Sequence, residues 1–168
     1  QHLPMLYLFC GKMAAGKSTL AKKIARESNS LLLCEDDLLA QLFPGQITDL
    51  ASYVKLSSRL KSCLEAIVVD ALKQGNSIVL DFPANTVKQR AWLVGLAERA
   101  KVDHELRYIR LSDSACKAQL QRRVAENPQR ASTDTVDMFE SMARFFEPPG
   151  LSEGLNVLVI EPADKNLH

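Results

Sequence analysis

The sequence predicts an α/β fold, a parallel sheet with helices on both faces and so three layers in all. Two observations carry that prediction. Short apolar runs alternate with helical stretches along the whole chain, as strands and helices do in βαβ units. Between the first apolar run and the first helical stretch lies Gly11-Lys12-Met13-Ala14-Ala15-Gly16-Lys17-Ser18, a G-x-x-x-x-G-K-S loop.

The first strand is Met5 to Cys10, a continuous apolar run of the length expected when both faces are buried. The helix after the loop carries Leu20, Ala21, Ile24 and Ala25 at helical spacing. Leu31 to Cys34 reads as the second strand, followed at once by Glu35-Asp36-Asp37 and a Leu38–Leu42 turn. Phe43-Pro44-Gly45 breaks the chain. A long helix then starts, with Thr48 as its N-cap, Tyr53, Leu56, Leu60, Leu64, Ile67 and Leu72 as its apolar stripe, and Gly75-Asn76 at its end. Ser77 to Phe82 is the third strand. Thr86 to Lys101 is the next helix, and His104 to Leu111 the fourth strand. Ser112-Asp113 caps a helix to about Glu126, Asn127-Pro128 breaks it, and a further helix runs from Thr135 to Phe146. Pro148-Pro149-Gly150 stops that helix, and Leu155 to Ile160 is the last strand.

At 168 residues, 46% hydrophobic and 24% charged, the chain reads as one globular domain, 1–168, with no linker or repeat. A net charge of +1 argues against a main task of holding nucleic acid. No run reaches the length that crosses a bilayer. The start lacks a basic leader and places bulky Phe9 before Cys10, against a lipoprotein signal, although the opening Gln leaves the natural start open. Cys10, Cys34, Cys63 and Cys116 have no C-x-x-C pair, and His2, His104 and His168 no metal-like spacing. A reducing, cytoplasmic setting is expected.

The loop defines the chemistry. Successive backbone N–H groups make an anion cradle over the positive end of a helix, Gly11 and Gly16 allowing angles closed to other residues. Gly11 to Thr19 (Gly11, Lys12, Met13, Ala14, Ala15, Gly16, Lys17, Ser18, Thr19) is therefore expected to bind the phosphates of a nucleoside triphosphate, with Lys17 on the β and γ phosphates and Ser18 on Mg²⁺. Ligands of such sheets sit past the carboxyl ends of the strands. Those ends carry Glu35-Asp36-Asp37, Asp81 and a helix bearing Arg122-Arg123. Asp36 is expected to take a proton from a substrate hydroxyl; one of the three acids must face solvent or cap the following turn. Asp81 is expected on Mg²⁺ or the Ser18 hydroxyl, or else as a cap for Asn85 and Thr86. Arg122 and Arg123 are expected over the phosphates, or as a solvated helix end.

The sequence resembles the small AAA_33-type P-loop kinases, related to polynucleotide kinases, zeta toxins and chloramphenicol phosphotransferase. The resemblance covers nearly the whole chain and rests on GKMAAGKST, CEDDL, VLDFPANTVKQR, QLQRR and FFEPPGLSEGLNVLVIE. It implies a five-stranded sheet of nucleoside-kinase type in order 2-3-1-4-5, ATP·Mg²⁺ as donor, and a lid at about 122–135. It further implies that Asp36 is the base, that Arg123 rather than Arg122 is the lid arginine, and that Asp81, Asn85 and Arg90 lie near the acceptor pocket; Asp37 too is expected on the substrate. Two positions depart from the pattern. Leu39 stands where polynucleotide kinases have a phosphate-gripping arginine, and Ala14 where many kinases have glycine, which strains the loop if φ there is positive. The expected activity is transfer of the ATP γ-phosphate to a small hydroxyl-bearing molecule, with Phe43 to Arg59 forming much of its pocket. The alternatives are an NTPase or switch module acting through a protein partner, and a 5′-hydroxyl nucleic acid kinase.

Overall fold

A computed structural model describes residues 3–162 of the chain; His2 and His168 fall outside them. Five strands, β1 (Met5–Cys10), β2 (Leu31–Cys34), β3 (Ile78–Pro83), β4 (Asp103–Ile109) and β5 (Val157–Ile160), form one parallel sheet. Their order is β2-β3-β1-β4-β5, as the resemblance implied. The helices are α1 (Lys17–Glu27), α2 (Glu35–Leu42), α3 (Leu50–Lys73), α4 (Val87–Ala100), α5 (Asp113–Glu126) and α6 (Val136–Ala143), with 3₁₀ turns at Pro128–Ser132 and Leu151–Glu153.

The two-residue period of the strands divides the core between two faces. Leu6, Leu8 and Cys10 of β1, with Ile78, Leu80 and Phe82 of β3, pack under Leu60, Val68 and Leu72 of α3 and Leu93 and Leu96 of α4. Phe9 and Val79 point the other way, onto Ala21, Ile24 and Ala25 of α1. Ile109 meets Cys116 and Leu120 of α5 and Phe139 of α6. That gives three layers.

Several boundaries differ from the sequence reading. Asp49, not Thr48, caps α3: it accepts from the Ser52 N–H while the Ser52 hydroxyl receives the Asp49 N–H, a reciprocal capping box. The buried stripe of α3 runs through Leu56, Leu60, Val68 and Leu72, each step a multiple of four. Ile67 falls off that row and is 56% exposed. The turn expected at Leu38–Leu42 is part of α2, which starts at Glu35 directly from β2. The helix expected to reach Phe146 ends at Ala143, so Phe145 and Phe146 sit in the connection that follows. His104 is a packing residue, its Nε2 accepting from the Asn156 N–H at 3.1 Å.

Candidate active site

All the strand ends named by the sequence meet at one edge of the sheet. The loop leaves β1 and enters α1 through Gly16, whose φ of 104° is closed to residues with a Cβ. Gly11 has a different reason to be glycine. Its φ is ordinary, but a Cβ there would lie 3.2 Å from the Ile109 carbonyl and 3.3 Å from Ala15 Cβ. Ala14 takes φ 63°, the left-handed region, so the strain foreseen from its replacing glycine is present. Helices α3, α4, α5 and α6 each begin with a side-chain cap, from Asp49, Thr86, Ser112 and Thr135. Helix α1 begins without one and has no acid in its first turn, so its positive end is left for an anion.

Lys17 Nζ donates to the carbonyls of Gly11 and of Lys12, the latter at 3.0 Å. Burial pulls its pKa down, opposed first by the charge of Asp81. Lys12 reaches out to Asp113 at 2.7 Å and lies over the Phe146 ring, 5.3 Å from its centre. Ser18 and Thr19 are exposed at the start of α1. The Ser18 hydroxyl donates to Asp81 Oδ2 at 2.8 Å, and the Cys34 thiol approaches the same oxygen at 3.6 Å. Asp81 is thus tied to the loop helix; it is not the cap of α4, which is Thr86. Burial raises the Cys34 thiol to about 11, which keeps it protonated at neutral pH.

The three acids after β2 separate by environment. None caps a turn, because α2 begins at Glu35 itself behind Cys34. Glu35 is 2% exposed and takes hydrogen bonds from the Tyr53 hydroxyl and, at 2.7 Å, the Ser57 hydroxyl, both on α3. Asp36 and Asp37 keep contact with solvent. The Asp36 side chain opens into a cleft yet is crowded by protein on other sides. That crowding, then the charge of Asp81, raises its pKa, while Arg130 and Arg123 oppose the rise.

Two cavities adjoin the loop, and Lys17 lines both. One, of about 460 Å³, runs along the start of α1 under α5 and is lined by Ala14, Gly16, Lys17, Ser18, Thr19 and Lys22 below and by Arg122, Arg123 and Arg130 above. Asp134 holds Arg123 at 2.7 Å and Arg130 at 3.3 Å. The other, of about 470 Å³, contains Asp36 and the loop residues Lys12 and Met13, with walls from α3, from Pro83 to Gln89, and from Met142 to Phe146.

Not every expected residue reaches these cavities. Asp37 lines neither. Asn85 does line the second, and its Oδ1 also accepts the Gly11 N–H at 2.9 Å. Arg90, expected near an acceptor, is fully buried. Its guanidinium binds both carboxylate oxygens of Glu153, at 2.8 and 3.1 Å, and the carbonyls of Ala84 and Pro148. It clamps the segment behind Phe146 to the end of β3 and faces no cleft. Of the expected wall from Phe43 to Arg59, Leu50, Tyr53 and Val54 are used. The opposite wall, Met142, Phe145 and Phe146, was missed. The signal was an apolar pair next to a double proline, read as the end of an ordinary helix.

A basic cleft over an uncapped helix, sharing one lysine with a second cavity, on a 2-3-1-4-5 sheet, defines a protein of P-loop kinase fold. The chain belongs to the AAA_33 family, described as an AAA domain, whose sequence model matches residues 6–149. No curated protein matches it in sequence. Among solved structures it is similar to a Chloroflexus aurantiacus protein described provisionally as a kinase, with TM-score 0.73 and 18% identity over 95% of this chain and 89% of that one. It is similar also to Chaetomium thermophilum Kti12 in complex with ADP-AlF3, with TM-score 0.65 and 17% identity over 96% and 90% of the two chains. A third is the APS kinase CysC of Mycobacterium tuberculosis with AMPPNP and APS, with TM-score 0.62 and 15% identity over 97% and 91%.

Proposed function

We propose that this protein is an ATP-dependent phosphotransferase that moves the γ-phosphate of ATP to a hydroxyl of a small molecule. The observation that carries it is Lys17 standing on the lining of both a basic cleft and a cavity holding Asp36. The loop amides from Gly11 to Thr19 and the Lys17 ammonium hold the triphosphate in the basic cleft. Ser18 and Asp81, a hydroxyl and a carboxylate 2.8 Å apart beside the loop, suit an octahedral cation that keeps most of its waters. Mg²⁺ bound there supplies charge neutralisation on the β and γ phosphates. The acceptor oxygen attacks the γ phosphorus as its bond to the β,γ-bridging oxygen breaks. A phosphate ester and ADP result, and the hydroxyl proton passes to the Asp36 carboxylate.

The lid in this reading is the 122–135 region, where Arg123, with Arg122 and Arg130 beside it, answers the charge on the transferring group. Asp37 stays outside the chemistry, and Asn85 holds the loop at its start. The APS kinase structure carries AMPPNP and APS together, which supports two adjoining co-substrate sites on this fold. A cavity beside Asp36, rather than a flat helix face, favours phosphotransfer over a partner-driven switch. The three arginines and Lys22 line the nucleotide cleft and not the Asp36 cavity, whose lining has only Lys12 and Lys17 as cations among the described residues, against a nucleic acid acceptor. Four unpaired cysteines fit a cytoplasmic setting, and among the described residues no helix is long and apolar enough to cross a membrane.

The test is ADP release and phosphate-ester formation across a panel of alcohols with Mg²⁺ present. Turnover by the wild type and none by Asp36→Asn is the expected result. Equal turnover by both removes Asp36 as the base.

A further inference from the structure

The cavity that holds Asp36 has a chemical character of its own. Leu50 and Val54 of α3 face Met142, Phe145 and Phe146 across an opening of about 470 Å³, the size of site that takes a molecule of one or two rings. Phe145 is 61% exposed and Val54 57% exposed, so large apolar side chains stand in water around one concave site. Apolar surface gathered this way marks a ligand more often than scattered exposure does.

On the polar side chains of the same wall, one acceptor oxygen each is already engaged. Asn85 Oδ1 accepts from Gly11, Gln89 Oε1 accepts from the Asn85 N–H, and Thr86 Oγ1 accepts from the Gln89 N–H. The Tyr53 hydroxyl donates to Glu35. Both cations on the lining are engaged too, Lys12 with Asp113 and the Phe146 ring, Lys17 with the loop carbonyls. Asp36 is the one acid on that lining. An acceptor carrying a carboxylate or phosphate would give up its hydration beside a negative charge and meet cations that are already paired. A polyol would set several hydroxyls against Leu50, Val54, Met142, Phe145 and Phe146, where their lost hydration is not repaid.

We propose that the acceptor is an uncharged, largely apolar alcohol that puts one hydroxyl at Asp36 and its body among Leu50, Val54, Met142, Phe145 and Phe146. This rests on the phosphotransferase reading above and names its substrate class. The bond changes are those already given, with the ester formed on that single hydroxyl and ADP released.

The experiment uses the full chain and separates the two readings. Calorimetry with AMPPNP·Mg²⁺ first reports on the nucleotide site. Ester formation from ATP is then compared for 4-isopropylbenzyl alcohol, for 4-(hydroxymethyl)benzoate, which has nearly the same shape with a negative charge, and for glucose. The neutral alcohol is expected to lead both others in kcat/KM by about ten-fold or more. Val54→Lys, a change at an exposed position that keeps the fold, is expected to shift the preference toward the benzoate by about ten-fold. Equal or better use of the benzoate or glucose, no ester from the neutral alcohol, or an unmoved preference in Val54→Lys overturns the apolar acceptor. With AMPPNP bound, the nucleotide reading survives that outcome. Absence of AMPPNP binding removes the phosphotransferase reading, and this inference with it.

Discussion

Asp36 and Glu35 are neighbours in sequence with opposite surroundings, and the difference sets what each does with pH. In the proposed role of base, Asp36 would work only when ionised, and its pKa lies above the ordinary aspartate value of about 3.9. The expected kcat/KM therefore falls on acidification at a higher pH than for an unperturbed aspartate, while AMPPNP binding by Asp36→Asn stays near wild type. Glu35 also has its pKa raised, first by burial, with hydrogen bonds from Tyr53 and Ser57 opposing the rise. The folded state thus keeps its proton to higher pH than the unfolded one. The stability from that proton is complete below the unfolded carboxylate value and declines as pH climbs through the raised folded value. Urea midpoints taken from about pH 4 to about pH 7 should fall more steeply for the wild type than for Glu35→Gln. Parallel curves would contradict the assignment. Arg90→Met leaves the Glu153 carboxylate without its partner and should lower stability by about 3–5 kcal/mol, read from the same midpoints. None of these environments is written in the CEDDL or VKQR strings themselves; Glu35 faces inward only because α2 starts without a turn and lays its first residue against α3.

At the scale of elements, the loop and α1 were fully legible, because strand, glycine loop and helix follow one another within a few residues. What local reading could not supply was which glycine serves which purpose. Gly16→Ala should cost about 1–3 kcal/mol from backbone angle alone, since an added Cβ there meets nothing within 4 Å. Thermal or urea unfolding checks that. Helix α5 carries the expected arginine, now held by Asp134 from the turn beyond it. In Arg123→Ala, kcat should drop roughly 10²-fold or more with a much smaller loss of AMPPNP affinity, which single-turnover and calorimetric measurements separate. The end of α6 was misread because Met142 to Phe146 is helical in pattern, and only tertiary packing shows that Phe145 and Phe146 leave the helix to wall a cavity. The stripe of α3 was misread at Ile67 for a related reason: apolarity does not say which row of a helix faces the sheet.

For the whole molecule, strand order and layering followed from alternation and family resemblance, and they stand as expected. The pocket did not follow, since its walls come from residues about ninety positions apart that only folding brings together. A ligand that binds the folded form alone stabilises it by mass action. AMPPNP·Mg²⁺ at about 100 times its Kd should add about 2.7 kcal/mol. In a chain of this size that raises Tm by roughly 5–10 °C. Scanning calorimetry with and without the analogue reads it directly.

One asparagine joins the two halves of the working edge. Through its side chain Asn85 receives the Gly11 amide, and through its own carbonyl it receives the Glu147 amide at 2.8 Å, one residue past Phe146. The loop and the segment after Phe146 thus share one anchoring residue. On the proposed reading, occupancy of the phosphate cradle and the grip on an alcohol would be thermodynamically linked, each changing its counterpart by an equal factor. Removing the Gly11 arm with Asn85→Ala should shrink that linkage, read as a smaller effect of AMPPNP on acceptor affinity.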